Sequence, residues 1–435
     1  MELDPRQIPR RVLSRIVGAA AALARVPLYR YARAAPPDGG GPAPDGKVYI
    51  LIVSAWGMGG TIRAALNLAG HLGPRREVEI ISVFRRHTKP FFGDFPPGVT
   101  VSALYDLRPA ARRPRGAAGL ARRALERLPS LLVPPFDRAS PHFNLWVDLQ
   151  LIKRLRGKTG YVIGTRPGLN VAIARLKLPG FVAVGQDQMH FGHHKRGLRA
   201  AIRRGYAGLD ALTVLTRLDV ERYAELLEGR VPIAVIPNTV ADMGAARADL
   251  DAEVILAAGR LTEQKGFDML IDAYGQIAAD HPDWRVRICG AGPLRDELQA
   301  MIDARGLGGA IELAGASKDL AGEMERASIF VLSSRVEGFP LVLLEAMSKA
   351  LAIVAFDCRT GPGDIVDDHR NGLLVPAQDV DRLAAGLREM IEHPELRRRC
   401  GPAAAATAHQ YTMEVIGPRW ETLLAELHAA RAAGR

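Results

Sequence analysis

The chain alternates short apolar runs with amphipathic stretches. Residues 47–54, KVYILIVS, form a β-branched run of the kind that a strand buried on both faces needs. The run leads into Gly57-Met58-Gly59-Gly60-Thr61, and apolar residues then recur at helical spacing from Ile62 to Leu72. A second apolar run occupies residues 78–84. Strand, glycine loop, helix, strand is how a parallel α/β domain opens. Further strands are predicted at residues 161–164, 181–185, 211–215 and 231–237. From residue 253 the alternation restarts, with strands predicted at 254–258, 286–289, 311–313, 329–332 and 353–356. Helices are predicted between them, including 267–279, 294–304 and 341–350, and a helix carrying Trp420 at 412–430 ends the chain.

This pattern predicts an α/β protein of two Rossmann-like domains. The expected N-terminal domain is 47–240 and the expected C-terminal domain 241–411, with the polar, Ala-rich stretch 241–252 as the linker. Residues 412–435 form a final helical segment. Residues 1–46 are a basic extension, with an Ala- and Arg-rich helix over 6–34 and a Pro/Gly stretch over 34–44. Residues 107–138 read as an Arg- and Pro-rich insertion with a Leu-rich helix inside it.

Length and charge sharpen the picture. At 435 residues the chain is about twice the size at which one core stops growing, so two domains are expected. The formal charge is +11, and only nine of the 58 basic residues are Lys. A GC-rich genome favours Arg over Lys, but it does not dictate where the charge sits. Residues 1–34 hold seven Arg against Glu2 and Asp4, and residues 104–138 hold eight Arg against three acids. Each segment carries +5, so the rest of the chain is nearly neutral. Arg clustered beside Leu and Ala suits an interfacial helix on an anionic membrane surface, against a plain solvated basic face. No basic–aromatic interleaving or recognition motif points to nucleic acid. Cys289, Cys358 and Cys400 are too widely spaced for a metal-ligand set and suit a reducing cytoplasm. The apolar run 16–24 is nine residues long, short of the roughly 20 that a helical span requires, and no signal-peptide cleavage site follows it. The expected location is cytoplasmic, peripheral on the inner face of the plasma membrane.

Four constellations could carry chemistry. Gly59 and Gly60 open a helix after a strand, where backbone N–H groups can approach an anion. Position 62 is Ile rather than the third glycine of a dinucleotide fingerprint, and the second strand runs into Arg85-Arg86 with no acid for a ribose. Second, Gly259-Arg260 and Lys265-Gly266 lie between a strand and a helix, so two cations converge where a diphosphate would suit them. Third, Glu337-Gly338-Phe339-Pro340-Leu341 precedes a helix whose second turn holds Glu345. Pro340 suits the first helical position. The N–H groups of Gly338, Phe339 and Leu341 are then exposed, and each carboxylate can accept a vicinal diol. Fourth, His190, His193 and His194 follow a predicted strand without the spacing of a metal helix. Asp249-Leu250-Asp251 is a D-x-D triplet, but it falls in the expected linker and reads as a solvated turn. No metal site and no cofactor are expected.

The blocks GRLTEQKGFDMLIDAY, ICGAGPLRDEL, VLSSRVEGFPLVLLEAMSKALAIVAFDCRTGPGDIV and NGLLVP resemble family 4 of the retaining glycosyltransferases. The resemblance covers about residues 231–415 and is thinner before them, where it rests on GMGGT and Pro237-Asn238. It implies a GT-B fold, two facing Rossmann-like domains with an interdomain cleft, the first for acceptor and the second for donor. It implies a terminal helix that crosses back to the first domain. It further implies that Arg260 and Lys265 bind the donor diphosphate, Glu337 the transferred sugar and Glu345 the ribose. Gly59 and Gly60 would approach phosphate or acceptor, and His190, or else His193 or His194, would stand beside the sugar. The implied activity is transfer of a hexose, without a metal and with retention, from a nucleotide-diphosphate sugar to a hydroxyl on an envelope, lipid-linked or polymer acceptor. A UDP-sugar is the expected donor, with GDP- and ADP-sugars as alternatives. The rival functions are a sugar-nucleotide epimerase or hydrolase of the same fold, and a non-catalytic anionic-surface binder.

Overall fold

The computed structural model describes residues 23–37, 41–109, 111, 114–358 and 360–434. Residues 23–33 are helical; the rest of the helix expected over 6–34 lies outside the described residues, apart from Ala34, which ends the turn.

The described chain parts into two units. The first takes residues up to Val214, then Val220–Ala234 and Glu421–Arg435; the second takes Leu215–Asp219 and Val235–Trp420. The first unit is built on a seven-stranded sheet: β1 (Val48–Ile52), β2 (Val78–Arg85), β3 (Val99–Asp106), β4 (Gly160–Gly164), β5 (Phe181–Gln186), β6 (Ala211–Val214) and β7 (Ile233–Val235). Their order is β3-β2-β1-β4-β5-β6-β7. Strands β1, β4 and β5 are buried along their whole length, which is why they read as unbroken apolar runs. Strand β3 had no such signal. It is the sheet's edge, only partly buried, and its sequence VTVSALYD mixes polar with apolar positions.

The second unit has six strands: β8 (Val254–Ala258), β9 (Arg285–Cys289), β10 (Ile311–Gly315), β11 (Ile329–Leu332), β12 (Ala352–Asp357) and β13 (Leu373–Pro376). They are ordered β10-β9-β8-β11-β12-β13, with every described pair parallel. Residues 235–252 are not a free linker. Val240 N–H donates to the Tyr411 carbonyl at 2.9 Å and Ala248 N–H to the Lys349 carbonyl at 2.8 Å. The Lys349 side chain is fully buried, and its ammonium donates to Glu325 Oε1 at 2.6 Å and the Ala246 carbonyl at 3.0 Å. Burying an ammonium costs several kcal/mol unless it is paired in this way, so Lys349 pins the entering segment to its own unit.

Helix Met413–Ala432 is shared between the units at residues 420 and 421. Its later turns hold to the first unit: Glu421 accepts from Arg75 at 2.9 Å and bonds His71 at 2.7 Å, and Arg431 donates to the Phe181 carbonyl at 2.6 Å.

Candidate active site

In a doubly wound sheet, ligands bind beyond the carboxyl ends of the strands where the strand order reverses. In the second unit that point lies between β8, whose chain proceeds to β9 on one side, and β11 on the other. The loops leaving these strands are 259–266 and 333–340, and they are laced together. Ser333 Oγ donates to the Lys265 carbonyl at 3.1 Å, Gln264 Nε2 to the Val336 carbonyl at 2.9 Å, and Arg335 Nη1 to the Glu263 carbonyl and to Asp268 Oδ1, both at 2.8 Å. The Arg335 guanidinium holds the Asp268 carboxyl below its usual range. Gly266 makes this approach possible. It sits at φ 62°, and a Cβ there would lie 2.1 Å from the Ser333 carbonyl oxygen.

The result is a direct contact between two residues 72 apart in sequence: Lys265 Nζ stands 2.6 Å from Glu337 Oε1. Ser334 Oγ donates to the same oxygen at 2.6 Å, and Thr360 Oγ1 donates to the Glu337 carbonyl at 2.9 Å. The nearby Cys358 thiol is pushed up to about 12 by burial first and by the Glu337 charge second. Arg260 follows β8 and is exposed, with no hydrogen-bonding or ionic partner for its guanidinium among the described residues.

Helix Leu341–Ser348 begins at this loop, with Pro340 as its cap rather than its first residue. It has no side-chain cap and no acid in its first turn. The N–H groups of Gly338, Phe339 and Leu341 have no backbone acceptor among the described residues, so the helix presents its positive end uncapped. Glu345 lies in the second turn and is 8% exposed, buried among Leu343, Leu344, Ala346 and Met347.

In the first unit the strand order reverses between β1 and β4. The loop after β1 holds Gly59, at φ 148°, as the cap of helix Gly60–Leu72, which has neither a side-chain cap nor an acid in its first turn. After β5 the three histidines part company. His190 is buried and caps the 3-10 turn Phe191–His193. His194 is buried, with its Nε2 2.7 Å from the Tyr223 hydroxyl. That hydroxyl also donates to Asp187, which accepts from Asn170 Nδ2 at 2.8 Å and from the Tyr206 hydroxyl at 3.0 Å. Burial and the Asp187 charge raise the Tyr206 phenol well above its usual value. This fully buried cluster fixes the loop that carries His190, and nothing in the spacing of Asp187, Tyr206 and Tyr223 announced it. Ser334 and Thr360 were also missed: Ser334 sits in plain view before Glu337, whereas Thr360 joins the loop only through the turn after β12.

Asp249 and Asp251 are exposed, and Asp251 pairs with Arg398 at 2.6 Å. Among the described residues no group of three His, Cys, Asp or Glu could hold a metal, and no helix is long and apolar enough to cross a membrane.

This two-sheet fold is similar to that of solved structures, among them the lipopolysaccharide outer core galactosyltransferase WaaB, at TM-score 0.62 and 16% identity over 88% of this chain and 99% of that one. S. aureus TarM, solved as a mutant with Fondaparinux, alpha-GlcNAc-glycerol and UDP, superposes with TM-score 0.67 at 15% identity, over 87% of this chain and 99% of that one. The fold is therefore of the GT-B class. Residues 241–407, which fall in the second unit, match the family described as glycosyl transferases group 1. An exopolysaccharide phosphotransferase of Streptomyces coelicolor is 34% identical over 390 residues, 88% of this chain. The chain spans only 41% of that relative's length. An uncharacterized glycosyltransferase of Haemophilus influenzae is 26% identical over 87% of this chain and 99% of its own length.

Proposed function

We propose that the protein transfers a hexose from a nucleotide-diphosphate sugar, a UDP-sugar by preference, to a hydroxyl of an envelope, lipid-linked or polymer acceptor. The reaction keeps the donor's anomeric configuration and needs no metal. The observation that carries this reading is the Lys265–Glu337 contact at 2.6 Å, set at the switch point of the second unit beside an uncapped helix end. In this reading the second unit, 241–411 in outline, is the donor domain and the first the acceptor domain. Lys265 and Arg260 stabilise charge on the leaving diphosphate, together with the N–H groups of Gly338, Phe339 and Leu341 behind the Pro340 turn. Glu337 orients the transferred sugar and Glu345 holds the ribose. Gly59 and Gly60 approach the phosphate or the acceptor, and His190 lines the sugar's side of the first unit.

In the transfer, the acceptor oxygen forms a bond to the anomeric carbon as the bond to the diphosphate oxygen breaks. The acceptor's proton passes to a phosphate oxygen of the departing nucleoside diphosphate. Fixed cations supply the positive charge that a metal would otherwise supply. TarM's structure holds UDP and alpha-GlcNAc-glycerol, the same pairing of a nucleoside diphosphate with an α-glycoside that this reading requires. A phosphotransferase activity, as in the name of the Streptomyces relative, is less well supported, because more than half of that relative lies outside the span of this chain.

The test is NMR of the product made from an α-linked donor in the presence of EDTA. An α-linked product formed at undiminished rate is expected. A β-linked product, or activity lost on chelation and restored by Mg²⁺, would overturn the mechanism.

A further inference from the structure

In the first unit, the segments that follow β4 and β5, with Arg166 and Met189, border a cavity of about 360 Å³, which is within the range of small-molecule sites. Its walls are partly apolar, with Met189 and Phe136. The Phe136 ring packs against Gly197, where a Cβ would lie 2.6 Å from the ring, yet 54% of the residue is exposed. One side of the ring is thus held while much of it stays open, as a platform for a sugar's apolar face must be.

The rim is cationic. Arg138, Arg166 and Lys195 line it beside His193, against the carboxylate of Asp137. That carboxylate is consumed locally. Its Oδ1 accepts from Arg166 Nη2 at 2.5 Å and Ala139 N at 2.7 Å, and its Oδ2 accepts from Arg166 Nε at 3.2 Å and Gly168 N at 2.8 Å. Arg166 and Asp137 cancel, which leaves Arg138 and Lys195, both exposed and without a carboxylate partner among the described residues. A cavity that served a neutral sugar alone would not need two uncompensated cations at its mouth. Arg and Lys there match phosphate oxygens.

We infer that this cavity is the acceptor subsite and that the acceptor carries a phosphate next to the sugar that receives the new bond. The sugar ring lies on Phe136, and the phosphate lies between Arg138 and Lys195. The inference rests on the glycosyltransferase reading above, but it concerns the first unit alone.

The test is calorimetric titration of the full chain with synthetic glycosides of N-acetylglucosamine: the decyl phosphodiester, the ethyl phosphodiester and the neutral decyl glycoside. The phosphodiester is expected to bind at least about 10-fold more tightly than the neutral glycoside, a difference that one charge-assisted contact supplies. Arg138→Ala with Lys195→Ala is expected to abolish that preference. UDP affinity, measured on the same double variant, reports that the fold and the donor site are intact. Equal binding of ethyl and decyl phosphodiesters points to a phosphate-bearing polymer. A requirement for decyl points to a lipid-linked acceptor, and both support the subsite. Equal affinity for charged and neutral glycosides, or a preference that survives the double substitution, would overturn it. Failure of the wild type to bind UDP would instead count against the donor-site reading.

Discussion

Lys265 and Glu337 neutralise one another across two loops, with side chains only 18% and 8% exposed. Removing one partner of such a pair leaves the other charge poorly solvated, which costs more than the pair itself contributes. Lys265→Ala therefore has two effects that must be separated. Under the proposed function it takes a cation from the leaving diphosphate, and in any case it strands Glu337 with Ser334 as its remaining side-chain donor. The first effect is expected to lower kcat/KM by roughly 100-fold, as loss of a preorganised charge contact does. The second lowers the melting temperature. Glu337→Gln removes the stranded charge, so Lys265→Ala in that background is expected to recover stability but not turnover. Steady-state kinetics beside thermal melts check this. Wild-type turnover in Lys265→Ala would remove Lys265 from the site.

Among the elements, helix Gly116–Arg127 faces solvent in an unusual way. Leu120, Ala124 and Leu128 recur four residues apart and are all exposed, Leu120 at 62% and Leu128 at 49%. Arg123 and Arg127 flank this stripe and are exposed too. Such a stripe with Arg beside it suits the surface of an anionic bilayer, where each cation contributes about 1 kcal/mol at low salt. In vesicle flotation, the wild type is expected to rise with anionic vesicles and to be released as salt increases, and Arg123→Glu with Arg127→Glu to stay at the bottom. Flotation that is absent, or indifferent to salt and to these substitutions, removes the membrane from the account. Sequence and structure agree best where elements are buried on all sides. Strands β1, β4, β5, β8 and β11 were legible because burial on both faces leaves no polar position to blur the run. Strand β3 escaped because an edge strand tolerates mixed residues. The loop positions of Arg260, Lys265 and Glu337 and the helical position of Glu345 were legible because loop and helix signals bracket them, but their spacing could not show that residues 265 and 337 touch. That contact depends on β8 and β11 being neighbours, a property of the sheet and not of either segment.

At the scale of the molecule, the proposed function divides the work between the two units. The second brings Lys265, Glu337 and an uncapped helix end to one switch point, with Arg260 exposed on the same loop. The first brings a cationic cavity to the segments that follow β4 and β5. Under the proposed function the second unit binds a nucleoside diphosphate sugar, with Glu345 on the ribose. Calorimetric titration of the full chain with UDP, run beside Glu345→Gln, tests it directly. Saturable binding by the wild type is predicted, weakened about 10-fold or more in Glu345→Gln, the loss expected of a charged hydrogen-bonding contact. No binding of UDP, GDP or ADP by the wild type, or the same UDP affinity in the variant, would contradict it.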